Sequence, residues 1–345
     1  MPLFLPISYN RSELNEFGIR LYEHKKSSME EMKFSINIPS SFTIVKETMD
    51  PPDINRPVTD CVYFKSTSGD MEVLVQCQHI QYEISLEHYY QYYSQLGGET
   101  IVEKRLIGNN EDKPDLLTQK TFPDGQTWIT RRTGYKVWNG AGAFVITVNA
   151  ATNINDYIKY ATLLYAITSS LQPMKKPEWE LAERLLMVSR RYPVDFATYI
   201  PISWKEYHHH SDTMDEMNLV YTKTLRKAIS GMLSMCCVAE YKVGGKEAIL
   251  RKCHKGYIEQ GADLSQLYTE KTDDIHSFTN VIKGSADFVQ KTNEKLKNNI
   301  TFYLAKKGNN WVYLEMFGPA KDTDFEAWSL NDRAFEIMKE RIITI

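Results

Sequence analysis

Few side chains in this sequence are spaced for chemistry. "WKEYHHHSD" sets His208, His209 and His210 side by side. Three consecutive imidazoles diverge on any regular backbone, whereas metal ligands converge at spacings such as i, i+4 on a helix. The stretch reads as a polar loop. Ordered, it would offer an adventitious nickel or zinc site completed by Glu206 or Asp212, so no metal is assigned. "CCVAEYKVGGKEAILRKCH" places Cys236, Cys237, Cys253 and His254 about a hairpin signal at Gly244-Gly245, which would bring Cys237 near Cys253. No C-x-x-C accompanies them, which argues against zinc. A Cys/His nucleophile pair would also need a base aimed at it. "SGD" and "VGGK" are tight turns, not phosphate cradles, and no G-x-S-x-G or H-E-x-x-H occurs. The expectation is a protein that is not an enzyme and takes no cofactor. A site of acids and histidines brought together only by folding stays open as a third reading. "EHYYQYYSQL" carries Tyr89, Tyr90, Tyr92 and Tyr93. On a helix these cover both faces, so some are core and others are exposed, where amphipathic rings favour interfaces.

The elements that position these residues come from an ordinary globular composition. Of 345 residues, 42% are hydrophobic and 25% charged, enough chain for two domains. A net charge of -3 without a dense Lys/Arg run argues against nucleic acid. The opening "MPLFLPISYNRSELNE" holds only the short apolar run Leu3 to Pro6, a poor signal peptide. No apolar stretch approaches the ~18 residues that span a bilayer. Cys61, Cys77, Cys236, Cys237 and Cys253 are expected as reduced thiols, small buried hydrophobes in strands. The expected location is cytoplasmic.

One phrase is written twice. "FSINIPSSF" begins at Phe34 and "FATYIPISW" at Phe196, 162 residues apart. Near the end of each half, "GAFVITVNAATNINDYIKY" and "NNWVYLEMFGPAKDTDFEAW" align at an offset of 168. Phe144, Ile146 and Val148 then fall on Val312, Leu314 and Met316, alternating as a half-buried strand requires. Asp156 falls on Asp324, an N-cap position, and Tyr157 and Tyr160 fall on Phe325 and Trp328. Each half reads as strand, hairpin, short helix, antiparallel strands and C-terminal helix. Hairpins are expected around Ser68-Gly69-Asp70 and Gly244-Gly245, and short helices in "SLEHYYQYYSQLGG" and "ADLSQLYTEKTDD". Strands with segregated helices give an α+β fold. The expected plan is an N-terminal extension, 1–32, domain 1, 33–173, a helical linker, 174–194, and domain 2, 195–345. Each domain is a twisted antiparallel sheet flanked by helices. In the doubled phrase, Phe and Ile share one strand face. Pro ends the ladder, and the aromatic after the turn returns to the core.

With "FSINIPSSF" and "FATYIPISW" opening the halves and "FVITVNAATNINDYIKYATLLYAI" and "WVYLEMFGPAKDTDFEAW" closing them, the chain resembles the PsbP/DcrB/Mog-type superfamily, which includes Eag-type secretion chaperones. The resemblance covers most of each half. It implies proteins that are mostly not enzymes and that dock other proteins on the face of an antiparallel sheet.

The sheet faces are therefore the expected binding surfaces. Val312, Leu314 and Met316 form one face of the last strand, and Trp311, Tyr313, Glu315 and Phe317 the other. Tyr303 opposes Phe302 and Leu304, and Met232 and Met235 add flexible thioethers. The candidate protein-binding residues are Trp311, Tyr313, Glu315, Phe317, Tyr303, Met232 and Met235, unless a helix or the other domain covers them. Trp128, Arg132, Val145, Thr147 and Asn149 make the first half's counterpart more polar. The expected function is a non-enzymatic adaptor or chaperone, serving a bacterial secretion system, that holds an apolar or helical client segment on a sheet face or in an interdomain cleft. The partners are proteins, a client or the subunits of a complex, with no nucleic acid and no direct membrane insertion, and duplication would let one chain act as a monomer. The alternative is a structural subunit of a larger complex.

Overall fold

A computed structural model describes residues 3–107, 113–140, 142–174, 181–209, 216–259, 262–264, 267–290 and 293–344. The chain divides into two compact domains, Met1–Glu183 and Arg184–Ile345. Domain 1 contains α1 (Arg11–Leu14), β1 (Ile19–His24), β2 (Phe34–Pro39), β3 (Phe42–Glu47), β4 (Val58–Ser66), β5 (Met71–Ile80) and α2 (Leu86–Leu96). It continues with β6 (Thr100–Ile107), β7 (Lys113–Thr121), β8 (Thr127–Trp138), β9 (Ala143–Asn153), α3 (Tyr157–Ser169) and β10 (Gln172–Pro173). Domain 2 contains β11 (Leu185–Arg190), β12 (Phe196–Pro201), β13 (Lys205–His209), β14 (Glu216–Leu225), β15 (Ala228–Ala239), α4 (Glu240–Val243) and α5 (Lys246–Glu259). It continues with β16 (Tyr268–Lys271), β17 (Thr279–Gln290), β18 (Asn293–Lys307), β19 (Asn310–Pro319), α6 (Phe325–Glu340) and β20 (Ile343–Thr344).

Each domain has a small antiparallel sheet, β1-β2-β10 or β11-β12-β20. Each also has a seven-stranded sheet, β3-β4-β5-β9-β8-β7-β6 or β13-β14-β15-β19-β18-β17-β16. Counted within the domains, the two orders are identical, so the α+β fold is written twice strand for strand.

The doubled phrase is the passage from the small sheet to the large one. "FSINIP" and "FATYIP" are β2 and β12, each the middle strand of its small sheet. Phe34, Ile36, Ile38, Phe196 and Ile200 are buried. Pro39 and Pro201 end the strands because they have no N–H to extend the ladder. The next aromatic is buried where the large sheet begins: Phe42 opens β3, and Trp204 donates its N–H to the Pro201 carbonyl at 3.0 Å just before β13.

Strand alternation then fills the inner core. Phe144, Ile146 and Val148 in domain 1, and Val312, Leu314 and Met316 in domain 2, pack beneath α3 and α6. Each such burial contributes roughly 1.5–3 kcal/mol. Asp324 caps α6 as expected, its Oδ1 accepting from Ala327 N–H at 3.0 Å. Asp156 makes no such bond; instead Asn153 Oδ1 accepts from Asn155 N–H at 3.0 Å in a 3-10 turn before α3. Tyr157 and Tyr160 are buried, but Phe325 and Trp328 are half-buried with the Lys321 ammonium over both rings.

Three expectations need correction. The linker is not helical where it is described: Leu185–Arg190 is β11, pairing with β12 as β1 pairs with β2. Its apolar residues fit a strand as well as a helix, and the unpaired edge of β12 selects the strand. The hairpin of domain 2 turns at Arg226-Lys227, and "EYKVGGKEAILRKCH" forms α4 and α5. Gly244, left-handed at φ 75°, caps α4. Ile249, Cys253 and Tyr257 then recur every fourth residue, the period of a helix. Finally, within "ADLSQLYTEKTDD" Tyr268–Lys271 is the edge strand β16 and not part of a helix, while "TNVIKG" and "DFVQ" belong to the single strand β17.

Candidate functional site on the sheet faces and edges

The outer face of the domain 2 sheet does not stand open. Ile249, Leu250 and Cys253 of α5 pack on Cys236, Val238, Phe302, Leu304, Trp311 and Tyr313. Tyr257 stacks on Phe317 at 5.2 Å. Trp311, Tyr313 and Glu315 are therefore buried, and Phe317 and Met232 half-buried. Tyr303 and Met235 lie on the opposite face: both pair in register with Leu314 and belong to the inner core. The pleat thus puts Tyr303 and Met235 in the inner core and the other five candidates on the outer face. There Trp311, Tyr313 and Glu315 are buried under a helix that a period-2 reading of its sequence conceals.

Under α5 lies a buried polar chain. Tyr313 and Tyr257 donate their hydroxyls to the two oxygens of Glu315, each at 2.5 Å. His254 Nε2 lies 3.0 Å from the Tyr313 oxygen, so with Tyr313 donating to Glu315 the imidazole is the donor. Burial pushes Glu315 up to about 7 and His254 down to about 4. The Cys253 thiol is pushed up first by its hydrogen bond with Cys236 and then by burial. Cys236, not Cys237, is thus its neighbour, and Cys237 faces the inner core. All five cysteines are free thiols, four of them buried in strands and Cys253 on a helix.

Helix α2 covers the equivalent face of domain 1. Ser85 caps it, its hydroxyl accepting from His88 N–H at 3.1 Å, and Gly97 ends it, as expected. Tyr89 and Tyr90 are buried, and Tyr92 and Tyr93 half-buried. Tyr89 donates to Gln78 at 2.6 Å, Tyr93 donates to Gln76 at 3.2 Å, and Tyr90 meets Thr147 at 3.1 Å. Arg132 bonds Asn149, Ser94 and Glu99, and Lys136 pairs with buried Glu83 at 2.7 Å. Beyond α2 an open cavity of about 650 Å³ lies between Glu99 and the β7–β8 turn, with Trp128 and Phe122 in its lining.

Exposed apolar side chains are also found on the sheet edges. β3 and β13 are the first edge strands of the two large sheets. Each contains a β-bulge, between Ile44 and Lys46 and between Glu206 and His208. The extra residues are Val45 and Tyr207, 57% and 64% exposed. Each sits three residues after the aromatic of the doubled phrase, Phe42 or Trp204. The other edge of domain 1, β6, has a third bulge with Val102 exposed. A bulge leaves one residue unpaired and twists the edge away from further ladder pairing. Nothing in the residue types marks these positions, because a bulge is a mismatch between two strands.

His208 and His209 lie on β13; their side chains, with His210 and Asp212, fall outside the described residues. Among the described residues no group of three or more His, Cys, Asp or Glu is placed to hold a metal. None of their helices is long and apolar enough to cross a membrane.

No family model matches the chain, and no curated protein matches it. Solved structures do. PsbP from the cyanobacterium Synechocystis is 12% identical, with a TM-score of 0.33 over 46% of this chain and 93% of its own. The Ran-binding protein Mog1p of Saccharomyces cerevisiae is 10% identical, with a TM-score of 0.32 over 47% of this chain and 96% of its own. LpqN of Mycobacterium tuberculosis, involved in cell envelope biogenesis, is 11% identical, with a TM-score of 0.28 over 48% and 98%. Each likeness spans about half of this chain and concerns the fold alone.

Proposed function

We propose that this is a protein-binding accessory protein, without catalysis of its own, that docks a partner through the bulged edge strands of its two large sheets. The observation that supports this reading is the repeated bulge, which displays Val45 in domain 1 and Tyr207 in domain 2 at the same step after the doubled phrase. Helices α2 and α5 cover much of the outer sheet faces, which favours the edges as the binding surface. Because the bulge blunts ladder pairing, the partner is read by its side-chain pockets and not by strand addition. Ile44, 45% exposed beside Val45, widens the apolar contact. Each buried apolar side chain contributes about 2 kcal/mol before ordering costs, so one edge alone binds weakly. Two edges in one chain raise the effective concentration of the second contact.

In this reading the protein is an adaptor or chaperone for an apolar client segment, with service to a secretion system as the narrower form. It acts in the cytoplasm, where the five free thiols stay reduced. A photo-crosslinking amino acid at Val45, at Tyr207 and at exposed Thr67 as control, used in the native cells, tests this. The same partner captured from both edges and not from Thr67 is the expected result. Capture in fixed stoichiometry would make the protein a built-in subunit of a complex. Capture no stronger than at Thr67 would end the edge-docking reading.

A further inference from the structure

We infer that domain 1 carries a recognition site for an extended Leu-x-Leu-Pro segment of a partner protein, held here by the chain's own residues 3–9, "LFLPISY". This site uses Arg105 of β6, at the opposite edge of the domain 1 sheet from Val45, and goes beyond the edge-docking reading at Val45 and Tyr207.

The segment is held by its backbone. Three successive carbonyls are captured: Phe4 O by the Tyr157 hydroxyl at 2.5 Å, Leu5 O by Arg105 Nη1 at 3.2 Å, and Pro6 O by Arg131 Nη2 at 2.8 Å. Arg105 Nη2 also donates to Pro6 O. Leu3 and Leu5 pack on the domain 1 core and Pro6 is buried, whereas Phe4 and Ile7 are 71% and 72% exposed. Selectivity therefore rests on the Leu-x-Leu-Pro frame, and the intervening side chains are free to vary.

The donors are built in advance. Arg131 and Asp115 are almost completely buried. Asp115 accepts from Arg131 Nε at 2.9 Å and Nη2 at 2.6 Å, and from Arg105 Nε at 2.8 Å. The Tyr165 ring lies 4.4 Å from the Arg131 guanidinium. Two guanidiniums fixed by one carboxylate form a rigid fork that gains by binding further oxygens. Arg131 Nη1 is buried and has no partner among the described residues, so a peptide that reached it with one more oxygen would bind more tightly.

The fold does not require this fork. At the same register domain 2 has Asn299 opposite Gly318 where domain 1 has Arg131 opposite Ala150, and Phe325 where domain 1 has Tyr157. Domain 2 forms the same sheets without those donors. No strand ladder holds residues 3–9, so their replacement breaks the side-chain-to-carbonyl bonds, the Leu3 and Leu5 contacts, the burial of Pro6 and the edge contact of Tyr9 with the Tyr165 ring at 5.9 Å.

The test uses the full chain. Leu5→Asp places a charge against the core and releases the segment. Limited proteolysis confirms release, and Leu3→Asp/Leu5→Asp is used if residues 3–9 stay protected. Fluorescence anisotropy with the labelled peptide Leu-Phe-Leu-Pro-Ile-Ser-Tyr then reports the site. A tethered segment competes at an effective concentration of about a millimolar, so the wild-type chain should bind the peptide at least about tenfold more weakly than the released variant. Arg105→Ala added to the released variant should lose binding again, by at least about tenfold, as should a peptide whose second leucine is aspartate. A folded, released variant that ignores the peptide overturns the proposal, as does equal binding by wild type and variant. Exchange of residues 3–9 between two wild-type chains, seen as a dimer by light scattering, would replace the partner with a second copy. Edge crosslinking at Val45 and Tyr207 is unaffected by any of these results, so the two proposals fail separately.

Discussion

The two outer sheet faces solve one packing problem in opposite ways. Each is covered by a helix, and each helix sends a tyrosine hydroxyl to the same position of the central strand: Tyr90 to Thr147 in domain 1, Tyr257 to Glu315 in domain 2. The large aromatic between helix and sheet comes from different sides. In domain 1 Tyr90 descends onto Gly134, where an added Cβ would lie 2.2 Å from its hydroxyl. In domain 2 the residue at the register of Gly134 is Phe302, which rises from the strand over Gly284. A glycine facing an aromatic is kept in both faces, but in domain 2 the aromatic stands at the glycine's register and the glycine lies on the neighbouring strand β17. The fold constrains the volume between helix and sheet, not which element supplies it.

That account is most exposed at the two aromatic positions. Phe302 is fully buried, 5.3 Å from the Tyr313 ring and 5.1 Å from His254. Phe302→Ala should destabilise domain 2 by about 4 kcal/mol, through lost burial and the cavity left behind. Gly134→Ala should destabilise domain 1 by about 3 kcal/mol, since its Cβ would stand 2.1 Å from the Ile146 carbonyl oxygen, which belongs to the backbone and cannot turn aside. Hydrogen exchange resolved on β8–β9 and on β18–β19 reads each domain separately. Loss of protection in both domains from either change would show that the faces are not independent.

A second difference is electrostatic. Domain 1 compensates its buried charges with ion pairs, Lys136 with Glu83 and Arg132 with Glu99. Domain 2 gives Glu315 two hydroxyls and, among the described residues, no ion pair. The folded pKa of Glu315, about 7 against an ordinary 4.5, is raised. Its contribution to stability is therefore complete below about pH 4.5 and is lost as pH rises through 7. His254 runs the other way. Its folded pKa of about 4 lies below the ordinary 6.5, so its contribution is complete above pH 6.5 and is lost as pH falls through 4. Between pH 4.5 and 6.5 the two trends oppose one another. Relative to wild type, Glu315→Gln should make the stability of domain 2 rise more steeply with pH between 4.5 and 7, and His254→Phe should make it fall more steeply between 4 and 6.5, by roughly 2–3 kcal/mol in each case. Denaturation midpoints measured across that range check both slopes. Matching slopes in the two variants would mean that the pair does not titrate as described.

How far these faces could be read from sequence follows the same division. The inner faces were legible because Phe144, Ile146 and Val148 and their partners at 312, 314 and 316 alternate without interruption. The passage at Pro39 and Pro201 was legible because proline has one meaning at a strand end. Helix α5 was not: Gly244-Gly245 is as good a hairpin signal as a helix break, and only the stripe Ile249, Cys253, Tyr257 separates the two readings. With that segment read as a strand, Trp311, Tyr313 and Glu315 have nothing to cover them. The bulges at Val45 and Tyr207 and the carbonyl fork at Arg105 and Arg131 depend on partners about 12 to 125 residues away in the chain, which residue types alone do not connect.

The smallest expected effect separates the two tyrosines. Tyr90→Phe removes a neutral hydrogen bond to Thr147 and should cost domain 1 about 1 kcal/mol at every pH. Tyr257→Phe removes a donor to a carboxylate, and that bond is stronger when Glu315 is charged. Its cost to domain 2 should therefore be about 1 kcal/mol at pH 5 and about 2 kcal/mol at pH 8, and the loss of the donor should raise the Glu315 pKa further, because that hydrogen bond holds it down. Carbon-detected NMR of the Glu315 carboxyl, titrated in wild type and in Tyr257→Phe, reads the second effect directly. An unchanged midpoint would mean that Tyr257 holds α5 by its ring against Phe317 alone, and that the two tyrosines, placed alike by the fold, act alike only as aromatic weight.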